Sequence, residues 1–431
     1  MRVGERQVLG GLGCVAAWSA GAAFCIGLNL LTSQALAQSK KIVVTVGVPG
    51  SSMKDQAVKL NPVAFADLPG WQNDDHLAAW KTFVRSCPAV LDLLKSSGPK
   101  APPRALGDIC QAALAQTKAG KVTREAARRF FEINFRPRRV EQAVAPGMLT
   151  GYYEPLLKAS RTADATFQTP IYKRPSDLVN VVAESERGAT TAKFTHMRQT
   201  EGGLQPYLTR AQIEQGALKG KDLELLYFRD PVDVYFLQVQ GSGRIELPDG
   251  AKIRITYDGK NGYPYTSIGR ELIQAGTFTP DTMSLKALAN WLKADRKRAE
   301  PVMWKNESYV FFRELSAEDA DGPQGALGTA LTPGRSLAVD TGYHALGSPI
   351  YVSAPSITHA SANGEGFNRL MIAQDVGSAI KGPERGDIFF GSGDKAGRVA
   401  GVTKHPGAFY VLEPAPAIET AGTAAPSRNQ P

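Results

Sequence analysis

Residues 369–393 read RLMIAQDVGSAIKGPERGDIFFGSG and contain two short apolar segments separated by a turn rich in Gly, Pro and charge. The segments 370–374 and 387–390 are predicted strands, because short apolar runs bounded by turn residues are typical of buried strands. Asp375 leaves the first strand and Asp387 begins the second. Apolar packing around a carboxyl group raises its pKa and suits it to general-acid catalysis. Aspartate beside glycine is also a common turn former, so the pair alone leaves a structural role open.

Composition predicts a soluble globular protein with more than one domain. The chain has 431 residues, of which 43% are hydrophobic and 21% charged, with 43 Gly and 28 Pro. These values favour a turn-rich fold that leans toward β structure. The net charge is +9, but no Lys/Arg run stands out, so no nucleic-acid surface is expected. A diffuse positive surface would also suit an anionic polymer.

The N-terminus has the pattern of an export signal. Arg2 and Arg6 form a basic start, residues 8–31 are largely apolar and small, and a small-x-small site ends at Ala37. The sequence therefore predicts a cleavable signal peptide over 1–37 and a periplasmic mature protein. A transmembrane anchor is the alternative, because the apolar region is long enough to span a bilayer. Neither cysteine of this region has the branched apolar residue three positions earlier that a lipoprotein signal requires.

Two cysteines, Cys87 and Cys110, remain after removal of the leader. In an oxidising compartment such a pair is more often a disulfide than two free thiols. The five histidines are scattered without ligand spacing. No metal site is therefore expected.

Helices are predicted early in the mature chain, after a strand-like segment at 41–46. The first begins after Asp74 or Asp75 and is halted or bent at Pro88, the second covers 106–118, and the third is capped by Thr123. They are expected to pack on a β core and carry no assigned chemistry.

Residues 149–155 form a predicted strand with adjacent tyrosines. Tyr152 and Tyr153 point to opposite faces of that strand. They are either a core-and-surface aromatic pair or a platform on which a sugar stacks, with Glu154 as a further candidate acid.

Residues 235–245 are interpreted as another strand, with Gln238 and Gln240 on one face and a bend at Gly241-Ser242-Gly. Two side-chain amides suit multidentate hydrogen bonding to hydroxyl and acetamido groups, and the glycines let a polymer approach the backbone. Residues 257–262 are interpreted as a hairpin-like turn.

Further strands are predicted along the second half of the chain, with one helix between them. Asp340 is a third acid at a strand end. The predicted helix is 284–297, and the predicted strands are 306–312, 336–340, 349–352 and 409–412.

Several ordered motifs resemble the membrane-bound lytic murein transglycosylase A family. Six such motifs in order are far more specific than any one of them. They are TGYYEP from Thr150, QVQGSG from Gln238, YDGKNG from Tyr257, SYVFF from Ser308, AVD from Ala338, and QDVGSAIKG from Gln374 with DIFFGSG from Asp387; LPGW from Leu68 also fits.

The resemblance implies a mainly β fold with flanking helices: a double-psi β-barrel core domain, a second, smaller inserted β domain and a cleft between them. The implied domains are a signal peptide 1–37, a discontinuous barrel domain 38–158 and 307–413 with N-terminal helices, an inserted β domain 159–306 and a disordered tail 414–431.

The implied chemistry is non-hydrolytic cleavage of the β-1,4 bond between N-acetylmuramic acid and N-acetylglucosamine in peptidoglycan, which leaves a 1,6-anhydro-muramoyl end. The family's single catalytic Asp matches Asp387, and the other strand-end acid matches Asp375. Asp375 and Asp340 are expected to orient the site or to bear on its developing positive charge. No metal or organic cofactor is implied.

The implied partner is the glycan strand of peptidoglycan. Lys381 and Arg385 either contact acidic groups of this substrate or belong to an ordinary solvated loop. The residues expected to bind the glycan are Tyr152, Tyr153, Gln238, Gln240, Gly241, Ser242 and Lys381.

Two departures and two rival functions remain. The leader lacks the lipoprotein signature frequent in the family, and Ser378 stands where a second Gly is frequent. The rivals are a muramidase that pairs Asp387 with Glu154 or Asp340, and a non-catalytic polysaccharide-binding protein. A monomer is expected, while outer-membrane association and membership of cell-wall synthesis or division complexes stay open.

Overall fold

A nine-stranded sheet carries both aspartates of residues 369–393. The structure is a computed structural model that describes residues 58–95, 101–141, 147–182, 193–316 and 322–416. They lie within one compact unit, Ser52–Pro431. The predicted leader, the strand-like segment at 41–46 and most of the predicted tail lie outside the described residues.

Three sheets and a set of mostly short helices make up the described chain. The strands are β1 (Lys59–Pro62), β2 (Phe135–Glu141), β3 (Met148–Glu154), β4 (Leu156–Ser160), β5 (Thr169–Tyr172), β6 (Leu178–Asn180), β7 (His196–Thr200), β8 (Gly203–Gln205), β9 (Glu224–Phe228), β10 (Ser242–Glu246), β11 (Lys252–Lys260), β12 (Val310–Glu314), β13 (Ser336–Val339), β14 (Pro349–Ala354), β15 (Phe367–Val376), β16 (Arg385–Ser392), β17 (Lys404–Pro406) and β18 (Ala408–Pro414). The helices are α1 (His76–Lys95), α2 (Arg104–Ala119), α3 (Arg124–Asn134), α4 (Arg210–Gln212), α5 (Pro231–Gln240), α6 (Ile268–Gln274), α7 (Leu285–Ala294), α8 (Arg296–Trp304) and α9 (Gly393–Ala400).

The first sheet has nine strands in the spatial order β1-β2-β18-β14-β15-β13-β16-β3-β17, and the second has six in the order β12-β11-β10-β4-β9-β5. A small third sheet contains β6, β7 and β8. Mainly β architecture with flanking helices is therefore confirmed. Among the described strands the first sheet does not close into a barrel, since β1 and β17 lie at its two ends.

The N-terminal helices pack on one face of the first sheet, where Phe83, Cys87 and Phe131 are fully buried. Thr123 caps α3 as predicted, accepting a hydrogen bond from the backbone N–H of Ala126. Of the two alternatives predicted at Pro88, a stop is wrong: α1 continues to Lys95, because burial of this helix outweighs the one backbone hydrogen bond that a proline cannot donate. A disulfide between Cys87 and Cys110 joins α1 to α2, with a Cα–Cα distance of 5.0 Å.

The prediction of one strand over 235–245 is wrong, because most of that segment forms α5 and only its end forms β10. The helix has clear end signals: Asp230 caps it, Pro231 occupies its first turn, and Gly241 ends it with φ +79°. Gln238 and Gln240 therefore do not share a strand face, since residues two apart on a helix point in different directions.

The predicted hairpin-like turn at 257–262 is also wrong. β11 runs through Lys260 with a register shift between Tyr257 and Lys260 where it pairs with β12. Gly259 at φ +129° lies within this irregularity, and Gly262 at φ +91° follows the end of β11.

Other predicted elements differ in detail. The predicted helix 284–297 is two helices, α7 and α8, with Asp295 capping the second. The strand predicted at 306–312 is β12, which pairs with β11 in the second sheet and not with the first. β18 extends to Pro414, and Ala415 donates a backbone hydrogen bond to Asn134, so ordered structure passes the predicted start of the tail.

Candidate active site

One row of paired residues crosses four neighbouring strands of the first sheet. Ala338 on β13 pairs with Asp375 on β15 at one side and with Asp387 on β16 at the other. Asp387 in turn pairs with Thr150 on β3. Because neighbouring strands lie about 4.8 Å apart, the aspartate backbones are about 10 Å apart. Both aspartates line the same cleft.

The two carboxyl oxygens of Asp387 have different surroundings. The hydroxyl of Thr150 donates to Oδ1 over 2.6 Å. Within the described parts of the chain, no hydrogen bond to Oδ2 is found. Burial raises the pKa of Asp387 above its usual value, while the hydrogen bond from Thr150 and the charge of Arg385 act in the opposite direction. The arrangement favours a carboxyl group that can hold a proton on Oδ2.

Asp375 is surrounded by donors. Oδ1 accepts from the backbone N–H groups of Ala326 and Val376, each over 2.9 Å, and Oδ2 accepts from the hydroxyl of Tyr152 over 2.8 Å. Burial raises the pKa of Asp375 to about 6; the three hydrogen bonds lower it, and the charge of Asp387 raises it. With both oxygens occupied, Asp375 is suited to be a fixed anion near neutral pH.

The two tyrosines of β3 separate as strand alternation requires. Tyr152 lines the cleft, and its ring centroid lies 5.3 Å from that of Phe389. Burial and the charge of Asp375 raise the pKa of Tyr152, so it stays a hydrogen-bond donor. Tyr153 turns away and packs against α9, where a Cβ added to Gly397 would lie 2.8 Å from the tyrosine ring.

The cleft has a volume of about 740 Å³ and is lined by residues from both large sheets and from α5. It brings together most of the predicted site residues; Tyr153 and Asp340 are not part of its lining. The predicted residues that line it are Tyr152, Gln238, Gln240, Gly241, Ser242, Asp375, Lys381 and Asp387.

Asp340 is bound to the backbone of the loop between β15 and β16. It is only 4% exposed, and its carboxylate accepts from the backbone N–H of Gly342 over 3.0 Å and of Gly382 over 2.9 Å. His344 pairs through Nε2 with the carbonyl oxygen of Pro383 over 2.7 Å. These contacts anchor the connection between β15 and β16 and do not bring Asp340 to the cleft.

Glu154 is also placed away from the cleft. It is fully buried, forms an ion pair with Arg254 at 2.6 Å, and accepts a hydrogen bond from the hydroxyl of Ser392. Neither carboxylate that was considered as a hydrolytic partner of Asp387, Glu154 or Asp340, thus lines the cleft.

Sequence reasoning missed the partner of Asp387 and two residues that line the cleft. Thr150 was noted only within a motif, and its pairing with Asp387 depends on strand register. Lys260 and Asp258 were assigned to a turn; Lys260 is 7% exposed and donates to the hydroxyl of Ser378 over 3.3 Å, and burial raises the pKa of Asp258. Asp258 and Lys260 could have been found from the alternation of polar residues within 256–260, which indicates a strand with one face on a cleft.

No group of three or more His, Cys, Asp or Glu side chains that could hold a metal ion occurs among the described residues. In the same part of the chain, no helix is both long enough and apolar enough to cross a bilayer.

Comparison with known proteins decides the family. The MltA specific insert domain matches residues 148–313, and the 3D domain matches residues 335–413. Membrane-bound lytic murein transglycosylase A of Vibrio cholerae is 32% identical over 283 residues, which are 65% of this chain and 67% of that protein. This chain belongs to the membrane-bound lytic murein transglycosylase A family. Its activity is accordingly that of a peptidoglycan lytic transglycosylase, a lyase.

Solved structures agree with this family. A membrane-bound lytic murein transglycosylase from Agrobacterium tumefaciens is 37% identical, with a TM-score of 0.72 over 83% of this chain and 98% of that one. Escherichia coli MltA with bound chitohexaose is 28% identical, with a TM-score of 0.55 over 84% of this chain and 93% of that one.

Proposed function

We propose that Asp387 is the general acid and then the general base of non-hydrolytic cleavage between N-acetylmuramic acid and N-acetylglucosamine. The observation that carries this proposal is the contrast between the hydrogen bonds of the two aspartates: Asp375 accepts from three donors, whereas Asp387 accepts from one and leaves Oδ2 without a hydrogen bond among the described residues. Burial raises the pKa of both groups. A carboxyl group that keeps its proton in a cleft is the requirement for protonating a leaving oxygen.

The reaction balances with one side chain. Asp387 donates its proton to the glycosidic oxygen, the bond from that oxygen to C1 of the muramoyl sugar breaks, and positive charge develops on C1. The resulting carboxylate takes the proton of the C6 hydroxyl while O6 bonds to C1. Asp387 is protonated again, and no water is consumed. An internal nucleophile reacts at high effective concentration, which removes the need for an activated water.

Asp375 supports this cycle as a neighbouring anion. Its negative charge stabilises the positive charge that develops on the sugar. Tyr152 holds Asp375 through its hydroxyl, so we assign the tyrosine to positioning as well as to contact with the sugar.

Gln238 supports glycan binding. It lines the cleft and is 4% exposed, and apart from an interaction with the hydroxyl of Tyr309 its amide makes no hydrogen bond of normal geometry among the described residues. An unsatisfied buried amide costs about 1 to 3 kcal/mol, which a bound acetamido or hydroxyl group would recover. Gln240 instead accepts from the backbone N–H of Tyr153 over 3.0 Å and shapes the cleft through β3. We assign Gly241, Ser242 and Lys381 to the walls that contact the glycan.

The substrate class is a β-1,4-linked chain of N-acetylated amino sugars. The chitohexaose bound to the E. coli relative is such a chain. Net charge of +9 is compatible with the acidic groups of peptidoglycan. We propose peptidoglycan glycan strands as the partner and a monomer as the active form.

We also propose a division into a discontinuous core domain, with double-psi β-barrel topology, and an inserted domain. The two large sheets support a division of this kind. Because β12 pairs with β11, we place the end of the inserted domain after Glu314 and not at residue 306, where the sequence predicted it. The leader over 1–37 stays a prediction of periplasmic location, and N-terminal sequencing of the secreted protein tests it.

The decisive experiment is digestion of purified sacculi followed by mass spectrometry of the released muropeptides. We expect products lighter by one water molecule than reducing muropeptides. We further expect that Asp387→Asn abolishes release and leaves sacculus binding intact, because the amide cannot donate an acidic proton but keeps the shape of the side chain. Retained release by this variant would reject the assignment, and reducing ends from the wild type would point to a hydrolase.

A further inference from the structure

The hydroxyl of Thr150 lies between a cation and an acid. Arg385 Nη2 donates to Thr150 Oγ1 over 2.9 Å, and Thr150 Oγ1 is 2.6 Å from Asp387 Oδ1. A guanidinium group has donors and no acceptor, so Thr150 must accept from Arg385. The single hydroxyl proton of Thr150 is then left for Asp387 Oδ1.

The strand register places these three side chains side by side, and we call the hydrogen-bonded series Arg385–Thr150–Asp387 the relay. Thr150 and Asp387 are register partners on the parallel strands β3 and β16, and Arg385 stands two residues before Asp387, so its side chain leaves the same face. Arg385 Nη1 donates to the carbonyl oxygen of Gly386 over 2.5 Å, which holds the guanidinium in place. The branched side chain of Thr150 has few rotamers, which limits the ways in which the hydroxyl can turn.

We propose that Thr150, held by Arg385, is a positioning residue that keeps the acidic proton of Asp387 on Oδ2. Oδ1 already receives a proton from Thr150, and a second proton on that oxygen would face the first. The acid therefore presents Oδ2–H, the oxygen without a hydrogen bond among the described residues, to the glycosidic oxygen. This inference rests on the proposed role of Asp387.

The same relay serves the second half of the reaction. Once Asp387 has given up its proton, the carboxylate keeps the Thr150 hydrogen bond, with the positive charge of Arg385 behind it. The other ionisable groups facing Asp387 are Asp375 on β15 and Tyr152 on β3, and both remain when Thr150 is changed. A change at Thr150 thus alters one contact of the acid and leaves its charged neighbours in place.

The test compares Thr150→Val, which keeps the branched shape without the hydroxyl, with Thr150→Ser, which keeps the hydroxyl. Turnover of a soluble peptidoglycan glycan strand is measured from pH 5 to pH 9 as release of 1,6-anhydro ends. For Thr150→Val we expect a kcat lower by about 10- to 100-fold and a nearly unchanged KM. The high-pH limb of the profile should move to higher pH, because loss of a donor to the carboxylate makes Asp387 a weaker acid. Thr150→Ser should restore both kcat and the position of the limb.

Arg385→Gln provides a second measurement that does not depend on the folding of Thr150→Val. It should move the high-pH limb in the same direction with a smaller loss of kcat, since the hydroxyl stays but is less firmly directed. An unshifted limb in both Thr150→Val and Arg385→Gln, or equal losses in the Val and Ser variants, would overturn the positioning role. If the wild type forms no 1,6-anhydro ends, or Asp387→Asn stays active, the proposed function itself fails; anhydro ends with an unaffected Thr150→Val reject only the relay.

Discussion

Asp387 and Asp375 carry the same carboxyl group, and their neighbours separate their roles. Three donors stabilise the anion of Asp375, while a single hydroxyl reaches Asp387. Burial raises the pKa of both groups, so each carboxylate in this row opposes folding once it is ionised. Burial of these carboxyl groups therefore lowers the free energy of unfolding when they are ionised and favours a bound proton, as is common at catalytic sites.

Replacement of Asp375 tests this cost through the pH dependence of stability. The folded-state pKa of about 6 lies above the ordinary 3.8, so the native wild type binds more protons than the unfolded chain in this window and loses stability as pH rises through it. Asp375→Asn has no proton to lose. Its stability relative to the wild type should therefore increase by about 3 kcal/mol between pH 3 and pH 8 in denaturant unfolding.

A matched control is Asp92→Asn, whose carboxylate is exposed beside Lys95. That variant should show little pH-dependent change. A difference between Asp375→Asn and the wild type that is the same at pH 3 and pH 8 would contradict the raised pKa.

At the level of elements, the site depends on how loops and strand ends are held. Asp340, at the end of β13, binds the backbone N–H of Gly382, and His344 binds Pro383, so the connection that carries Lys381 is fixed from the sheet side. Glu154, at the end of β3 in the first sheet, pairs with Arg254 on β11 in the second. Both acids were candidates for catalysis, and both have structural partners instead, because a buried carboxylate must be paired.

Glu154→Ala should lower the free energy of unfolding by about 3 kcal/mol or more, since it removes the fully buried carboxylate that pairs with the guanidinium of Arg254. The matched control is Glu246→Ala, which breaks the exposed pair with Lys158 and should cost less than about 1 kcal/mol. Equal effects of the two substitutions in denaturant unfolding would mean that Glu154 is not a buried structural anion.

In the molecule as a whole, residues of both large sheets line the cleft, and polar side chains connect one sheet to the other. Besides the ion pair of Glu154 with Arg254, Lys260 on β11 reaches the hydroxyl of Ser378, in the loop after β15. This contact needs the hydroxyl of Ser378. A glycan in the cleft would touch residues of both sheets at once.

Chitohexaose should therefore stabilise the folded protein. At ten times its dissociation constant it should add about 1.4 kcal/mol to the free energy of unfolding, measured as a rise in Tm. Asp387→Asn should keep this stabilisation, since it retains the cleft, whereas Gln238→Ala should reduce it by removing a buried amide from the cleft wall. Absence of a Tm rise in the wild type would argue against glycan binding in this cleft.

The sequence by itself determined the local features: the two apolar strands that carry Asp375 and Asp387, the capped helix after Thr123, the cysteine pair and the ordered motifs that identify the family. It misjudged 235–245 because the end signals of α5 outweigh a run of apolar residues with no clear period. Only the tertiary structure decided which side chains meet, namely that Thr150 reaches Asp387, that Tyr152 reaches Asp375, and that Glu154 and Asp340 turn to structural partners. The physical reason is that register between distant strands is set by packing of the whole sheet, which no local pattern records.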